Sequence, residues 1–81
     1  MPRFYITFVD IDDQNREHIT RRGLAEDDFQ YMLLGLLTAT RNKAGRTADY
    51  VARAKALDGT EWIICFNYQH GEARPITAFP A

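Results

Sequence analysis

The chain has 81 residues, of which 46% are apolar and 26% charged, so one domain (1–81) with a modest core is expected and disorder is not. Its net charge of −1 argues against a dedicated nucleic-acid binder, which would be strongly basic. The lone Cys65 excludes an intrachain disulfide framework, and the acids that follow the opening residues exclude a signal peptide or membrane span there. A cytoplasmic protein that does not contact membranes is therefore expected.

The first half of the chain predicts one strand and two helices. Residues Phe4–Ile11 alternate aromatic and β-branched types, which indicates a first strand. A helix should follow over Asp13–Arg22, capped by Asp12 or Asp13 and closed by Gly23 in the left-handed region. A second helix should run over Ala25–Thr38, with three acids in its first turn, where they suit the helix dipole.

One face of the second helix should lie in the core, because its apolar residues recur at helical spacing. These residues are Phe29, Met32, Leu33, Leu36 and Leu37. Tyr31 and Leu34 fall outside this face. An ordinary surface position and a contact with another subunit both account for them.

The C-terminal third, Tyr50–Phe79, predicts three antiparallel strands separated by Asp58-Gly59 and His70-Gly71. Asp-Gly between two apolar runs is a strong hairpin signal, because a type I′ turn needs positive φ at both central residues. The preceding polar stretch, Thr38–Thr47, indicates a loop. The expected fold is therefore α+β with the order β-α-α-β-β-β, in which two helices pack on an antiparallel sheet that ends in a three-stranded meander.

If both hairpins have two-residue loops, the residues that pair across the three strands follow from counting outward from each loop. The predicted rows are Lys55–Trp62–Phe79, Arg53–Ile64–Thr77 and Val51–Phe66–Pro75. This face is rich in large apolar groups and is expected to receive the helices. The other face should place Arg74 beside Asn67 and carry small apolar residues, which either allow close packing or accept a partner chain.

Few residues carry recognisable chemistry. Asp10, Asp12 and Asp13 cluster before the first helix, where capping explains them more simply than calcium binding. No spacing indicates a metal or cofactor site. The remaining cations could hold an RNA backbone and stabilise the charge that develops when a 2′-hydroxyl attacks the adjacent phosphate, with His18 as base or acid. A solvated charged surface accounts for the same residues.

The charges are also unevenly distributed along the chain. Up to Asp28 there are seven acidic residues against four basic ones, whereas Arg41 to Lys55 holds five basic residues and one acid. Such a basic segment can bind nucleic acid, and a solvated basic loop accounts for it equally well.

Three stretches of the chain resemble BrnT-like toxins. They are Asn15–Leu24 with Glu26–Phe29, Tyr50–Phe66, and Arg74–Ala81. In those proteins a helix ends in a basic residue, His and Gly, a central hairpin follows, and an isoleucine strand closes with Ser/Thr, a small residue and Arg. The resemblance implies a RelE-like fold and a metal-independent endoribonuclease toxin that halts translation. It also implies a cognate antitoxin that neutralises the toxin and represses their shared operon.

The resemblance assigns roles by position. Arg21 matches the basic residue ahead of the helix-ending Gly, Lys55 matches an arginine before the hairpin turn, and His18 lies where the family helix carries a polar residue. Arg22 replaces the usual histidine, and Phe79 replaces the arginine of the closing phrase. That arginine would complete a cationic row with Lys55, and its loss would cost about 2–4 kcal/mol of transition-state stabilisation.

Two functions are therefore expected as alternatives. The first is a toxin that cleaves RNA, with catalytic residues Arg21, Lys55, His18 and Arg74 and RNA-binding residues Arg22, Arg53, Arg46 and Lys43. The second is a catalytically inactive relative that keeps the scaffold as a protein-binding or homodimeric module. The basic segment favours the first, and the near-neutral net charge and the phenylalanine at position 79 favour the second.

Overall fold

The computed structural model describes residues 3–81, which form an α+β fold with two helices packed on a five-stranded mixed sheet. The elements, in chain order, are β1 (Phe8–Val9), α1 (Asp13–Thr20), α2 (Glu26–Leu34), β2 (Thr40–Arg41), β3 (Tyr50–Lys55), β4 (Glu61–Gln69) and β5 (Glu72–Pro80). The strands lie in the order β1-β5-β4-β3-β2. The α+β class and the C-terminal meander are confirmed. No helix in this part of the chain is long and apolar enough to span a bilayer.

The N-terminal strand differs from the prediction. Only Phe8–Val9 of the expected Phe4–Ile11 forms a strand, and it runs parallel to β5 at the sheet edge. Phe4 instead donates its backbone N–H to the carbonyl of Leu37, at 2.9 Å. The prediction of a purely antiparallel sheet is therefore wrong, because β1 and β5 are parallel and β2 adds a short fifth strand.

Helix α1 begins at a capping box on Asp12, one of the two predicted caps. The Asp12 carboxylate accepts the backbone N–H groups of Gln14 and Asn15, and the Asn15 side chain accepts the Asp12 N–H at 2.8 Å. The buried Asn15 amide also donates to the carbonyls of Asp10 and Pro75, at 3.0 and 3.3 Å. These bonds fix the start of α1 against β1 and β5.

Both helices are shorter than predicted. The first ends at Thr20 rather than Arg22, because the N–H of Gly23 bonds the carbonyl three residues earlier and closes a turn. The second ends at Leu34 rather than Thr38, and Leu36 likewise bonds three residues back. Its predicted core face is confirmed in part. Phe29, Met32 and Leu33 are buried, whereas Leu37 lies beyond the helix and is 65% exposed.

The β3–β4 hairpin has a three-residue loop, Leu57–Gly59, instead of the predicted two-residue turn. Gly59 has a φ of +87°, whereas Asp58 does not have positive φ. The Gly59 N–H bonds the carbonyl of Ala56 at 2.9 Å, and the Ala56 N–H bonds that of Thr60 at 2.8 Å. This is a type I turn closed by a left-handed residue, and its odd length shifts β3 by one residue against β4.

The β4–β5 hairpin has the predicted two-residue turn, with positive φ at His70 and Gly71. The predicted neighbours Phe66–Pro75 and Asn67–Arg74 are confirmed. A bulge between Cys65 and Phe66 then shifts the pairing of the remaining residues by one.

The two shifts change the rows across the sheet. Lys55 lies opposite Glu61. The five rows that cross β3, β4 and β5 are Tyr50–Phe66–Pro75, Val51–Cys65–Thr77, Ala52–Ile64–Ala78, Arg53–Ile63–Phe79 and Ala54–Trp62–Pro80. The predicted rows Lys55–Trp62–Phe79 and Arg53–Ile64–Thr77 are therefore wrong, and Val51 does not join Phe66 and Pro75. Because side chains alternate between the faces, the alanines of β3 now point to the helices.

The core lies between the helices and one face of the sheet. This helix face includes Ala52, Ile64, Phe66 and Ala78, none of which is more than 6% exposed. The opposite face, called the open face below, consists of Val51, Arg53, Lys55, Glu61, Ile63, Cys65, Asn67, Arg74, Ile76, Thr77 and Phe79. None of these residues is buried, so the described helices leave this face accessible.

Candidate binding groove on the open sheet face

A groove of about 520 Å³ crosses the open face. Its floor consists of apolar and small side chains from three strands: Val51, Ile63, Cys65, Ile76, Thr77 and Phe79. Its wall consists of residues of the β2–β3 loop: Asn42, Lys43, Arg46, Thr47 and Ala48. The groove thus combines an apolar floor with two cations on one wall.

The loop that forms the wall is held by two asparagines. The side-chain amide of Asn42 donates to the carbonyl of Ala48 at 3.0 Å. From β4, Asn67 accepts the backbone N–H of Asp49 at 2.7 Å and donates to the carbonyl of Thr47 at 3.2 Å. These bonds anchor both ends of the wall, so the groove is a built feature of the fold.

Two further cations lie on the open face beside the groove. Arg53 and Lys55 are both exposed, and Arg53 bonds Glu61 at 3.2 Å. The two side chains of this pair are 62% and 43% exposed, and such solvated pairs contribute about 0–1 kcal/mol. The pair therefore leaves the Arg53 guanidinium accessible to another anion.

Cys65 is the one cysteine of the chain, and it lines the floor of the groove. Burial of the side chain raises the pKa of its thiol, and the charge of Arg46 opposes that shift without cancelling it. A raised pKa favours the protonated thiol over the nucleophilic thiolate. Cys65 accordingly serves as a small, half-buried residue of the groove floor.

Arg74 is held by two carboxylates. Its guanidinium donates to Asp10 at 2.9 Å and to Asp12 at 3.0 and 3.3 Å. The hydrogen bond from Arg74 holds the pKa of Asp12 below its usual range, helped by the backbone N–H groups at the start of α1. The hydrogen bonds to Asp12 and Asp10 in turn raise the pKa of the Arg74 guanidinium. Its charge thus joins β5 to the start of α1 and is already compensated by two acids.

The remaining candidates lie on the helix side of the sheet. His18 lies on the exposed surface of α1, and Arg21 and Arg22 follow it in the turn before Gly23. Helix α1 packs on the helix face through Ile19, which is 1% exposed. The fold thus brings Lys43, Arg46, Arg53 and Lys55 to the open face and places His18, Arg21 and Arg22 on the other side.

Sequence reasoning missed the acids that pair with the candidate cations. The sequence favours helix capping over calcium binding for Asp10 and Asp12 and gives no sign of their ion pairs with Arg74, which span more than sixty positions of the chain. Glu61 was not expected to contact Arg53, because that contact depends on the three-residue loop. The apolar partners of Phe79 in the groove depend on the bulge at Cys65. An exact length for the β3–β4 loop would have revealed the Arg53–Glu61 contact, whereas the other contacts depend on the bulge and on the pairing of β1 with β5.

No family model, curated protein or solved structure matches the chain significantly. Within residues 3–81, no group of three or more His, Cys, Asp or Glu side chains has a metal-binding arrangement.

Proposed function

We propose that the chain is a RelE-like, toxin-type scaffold that binds a partner protein through the open face without catalysing RNA cleavage. The observation that carries the proposal is the separation of the candidate catalytic residues. His18 and Arg21 lie on the helix side, Lys55 lies on the open face, and Arg74 is compensated by acids. Attack of a 2′-hydroxyl needs a base and phosphate-binding cations at one phosphate, which this distribution does not provide.

The groove indicates the chemistry of the partner. Its floor offers Ile63 and Phe79 to apolar side chains, whose burial is favourable by about 25 cal/mol per Å². Its surroundings offer the cations Lys43, Arg46 and Arg53 to carboxylates. The best occupant is therefore a protein segment whose apolar residues are flanked by acids. The order of helices and strands and the BrnT-like stretches support a cognate antitoxin as this partner.

The proposal is tested by recovering the partner from the cells in which the chain is native. Tagged wild-type chain is compared with Ile63→Glu, which puts a charge on the groove floor, and with Tyr31→Glu, which puts the same charge on the exposed surface of α2. We expect one protein to accompany the wild type and Tyr31→Glu and to be lost with Ile63→Glu in quantitative mass spectrometry. Equal recovery with all three would refute the open face as the binding surface.

RNA cleavage is the second candidate function, and one observation favours it. Four of the eight candidate residues, Lys43, Arg46, Arg53 and Lys55, lie in or beside the groove on the open face, where cations can follow a phosphate backbone. The purified chain is incubated with RNA in the presence of a chelator. Cleavage by the wild type that disappears in Lys55→Ala would establish a nuclease and refute the non-catalytic proposal.

A substitution at position 79 tests whether this chain has lost an ancestral RNA-cleaving activity. Phe79 and Arg53 lie on either side of Ile63 in one row, so their backbones are about 10 Å apart at ordinary strand spacing. The Phe79→Arg change would add a cation to the groove floor, in the same row as Arg53. Growth arrest and RNA cleavage by Phe79→Arg, but not by the wild type, would identify an inactivated toxin.

A further inference from the structure

The outer edge of β3 is covered by its neighbour over only two of its six residues. β3 has six residues, but β2 pairs with Tyr50 and Val51 alone. The chain before β2 leaves the edge because Thr38 forms an antiparallel bridge with Arg3. In the described residues, no strand lies beside positions 52–55 on that side.

The backbone groups that face this bare edge belong to Arg53 and Lys55. Backbone groups in a strand point alternately to its two sides. The carbonyls of Asp49 and Val51 accept bonds from the β2 side, at 2.8 and 3.2 Å. The even-numbered Ala56 points the other way and donates its N–H to the carbonyl of Thr60, next to β4. The odd-numbered Arg53 and Lys55 therefore direct their N–H and C=O groups outward.

A second cavity, of about 350 Å³, lies at the same edge. Thr38, Ala39 and Thr40 line one side of it, and Val51, Ala52, Arg53 and Ile63 line the other. Because Val51, Arg53 and Ile63 belong to the open face, the cavity opens on that side of the edge, where a side chain from outside can enter it.

We propose that the bare edge of β3 at positions 52–55 accepts an extended acidic segment of the partner as an added strand. The inference rests on the proposed function and specifies how the partner binds. Residues of the added strand opposite Arg53 and Lys55 would place their side chains on the open face, next to two cations, and should be acidic. The residue between them would point to the helix side, next to Ala54, which packs against the core, and should be apolar.

A second copy of the chain fits this edge poorly. Pairing of two β3 edges would set Arg53 and Lys55 of one copy against the same cations of the other, and like charges directly opposite are destabilising. Edge cations commonly serve to prevent such pairing. Here they would exclude self-association and admit an acidic strand.

The test uses a blocked heptapeptide of alternating aspartate and valine, with a lysine–valine peptide as the control. Amide exchange is followed by NMR in the isotope-labelled chain. In the free chain, the amides of Arg53 and Lys55 should exchange much faster than those of Ala52 and Ala54. At low millimolar acidic peptide they should become protected, and the basic peptide should have no effect.

A proline substitution separates backbone pairing from charge. Arg53→Pro removes the side chain and the outward N–H, whereas Arg53→Ala removes the side chain alone, and neither should disturb the ladder to β4. We expect Arg53→Pro to bind the acidic peptide roughly tenfold more weakly than Arg53→Ala. Equal affinities, or no spectral change at any peptide concentration, would overturn strand addition. Shifts at Ile63 and Phe79 without protection of Arg53 and Lys55 would also overturn it, while leaving open-face binding intact.

Discussion

Adjacent aspartate substitutions in β3 test which of its faces meets the core. Ala52 is 6% exposed on the helix face, so Ala52→Asp would leave a buried, unpaired carboxylate at a cost of about 3–5 kcal/mol. Val51 lies on the open face and is half-buried. Val51→Asp should lose about half of the 1.5–3 kcal/mol that full burial of valine contributes, or roughly 1 kcal/mol.

The two variants should therefore differ in unfolding free energy by at least about 2 kcal/mol. Urea denaturation followed by circular dichroism measures the difference. With a slope near 1 kcal/mol per molar urea for a small domain, the midpoint of Ala52→Asp should lie about 2 M below that of Val51→Asp. A tolerated Ala52→Asp and an unfolded Val51→Asp would refute the observed register and restore the two-residue loop predicted from the sequence.

Two further changes examine the ion pairs and the hairpin loop. The hydrogen bond from Arg74 lowers the pKa of Asp12, so this ion pair stabilises the fold above the ordinary carboxyl pKa of about 4, and the stabilisation is lost as pH falls below that value. Arg74→Met should therefore make the unfolding free energy depend less steeply on pH in acid denaturation. The same pH dependence in Arg74→Met and the wild type would contradict this role of the ion pair. Gly59 has a φ of +87°, and no atom lies within 4 Å of an added Cβ, so the cost of Gly59→Ala comes from the left-handed backbone alone. We expect the unfolding free energy to fall by about 1–2 kcal/mol. An unchanged Tm in thermal denaturation would argue against a left-handed residue at this position.

The two hairpins show what the sequence can and cannot predict. His70-Gly71 forms the expected turn because both residues take positive φ, a local property of that dipeptide. Asp58-Gly59 carries an equally strong signal, yet the Asp58 carboxylate accepts bonds from the Thr60 N–H and hydroxyl, at 2.9 and 2.6 Å. Those bonds belong to a longer loop, so the dipeptide predicts a turn but not its length.

The candidate site depends more strongly on distant pairing. The cationic character of the basic segment was predictable from composition, and Lys43 and Arg46 do line the groove. The compensation of Arg74 was not predictable, because it depends on the parallel pairing of β1 with β5 across most of the chain. Parallel pairing of distant segments leaves no local pattern in a sequence.

The affinity of the recovered partner for wild type, Ile63→Glu and Tyr31→Glu, measured with purified proteins by titration calorimetry, tests the central claim most directly. Ile63 lies at the middle of the groove floor, and loss of a central contact costs at least about 2 kcal/mol, or roughly thirtyfold in Kd. We predict such weakening for Ile63→Glu and an unchanged Kd for Tyr31→Glu. Equal affinities of all three proteins would show that the partner binds elsewhere.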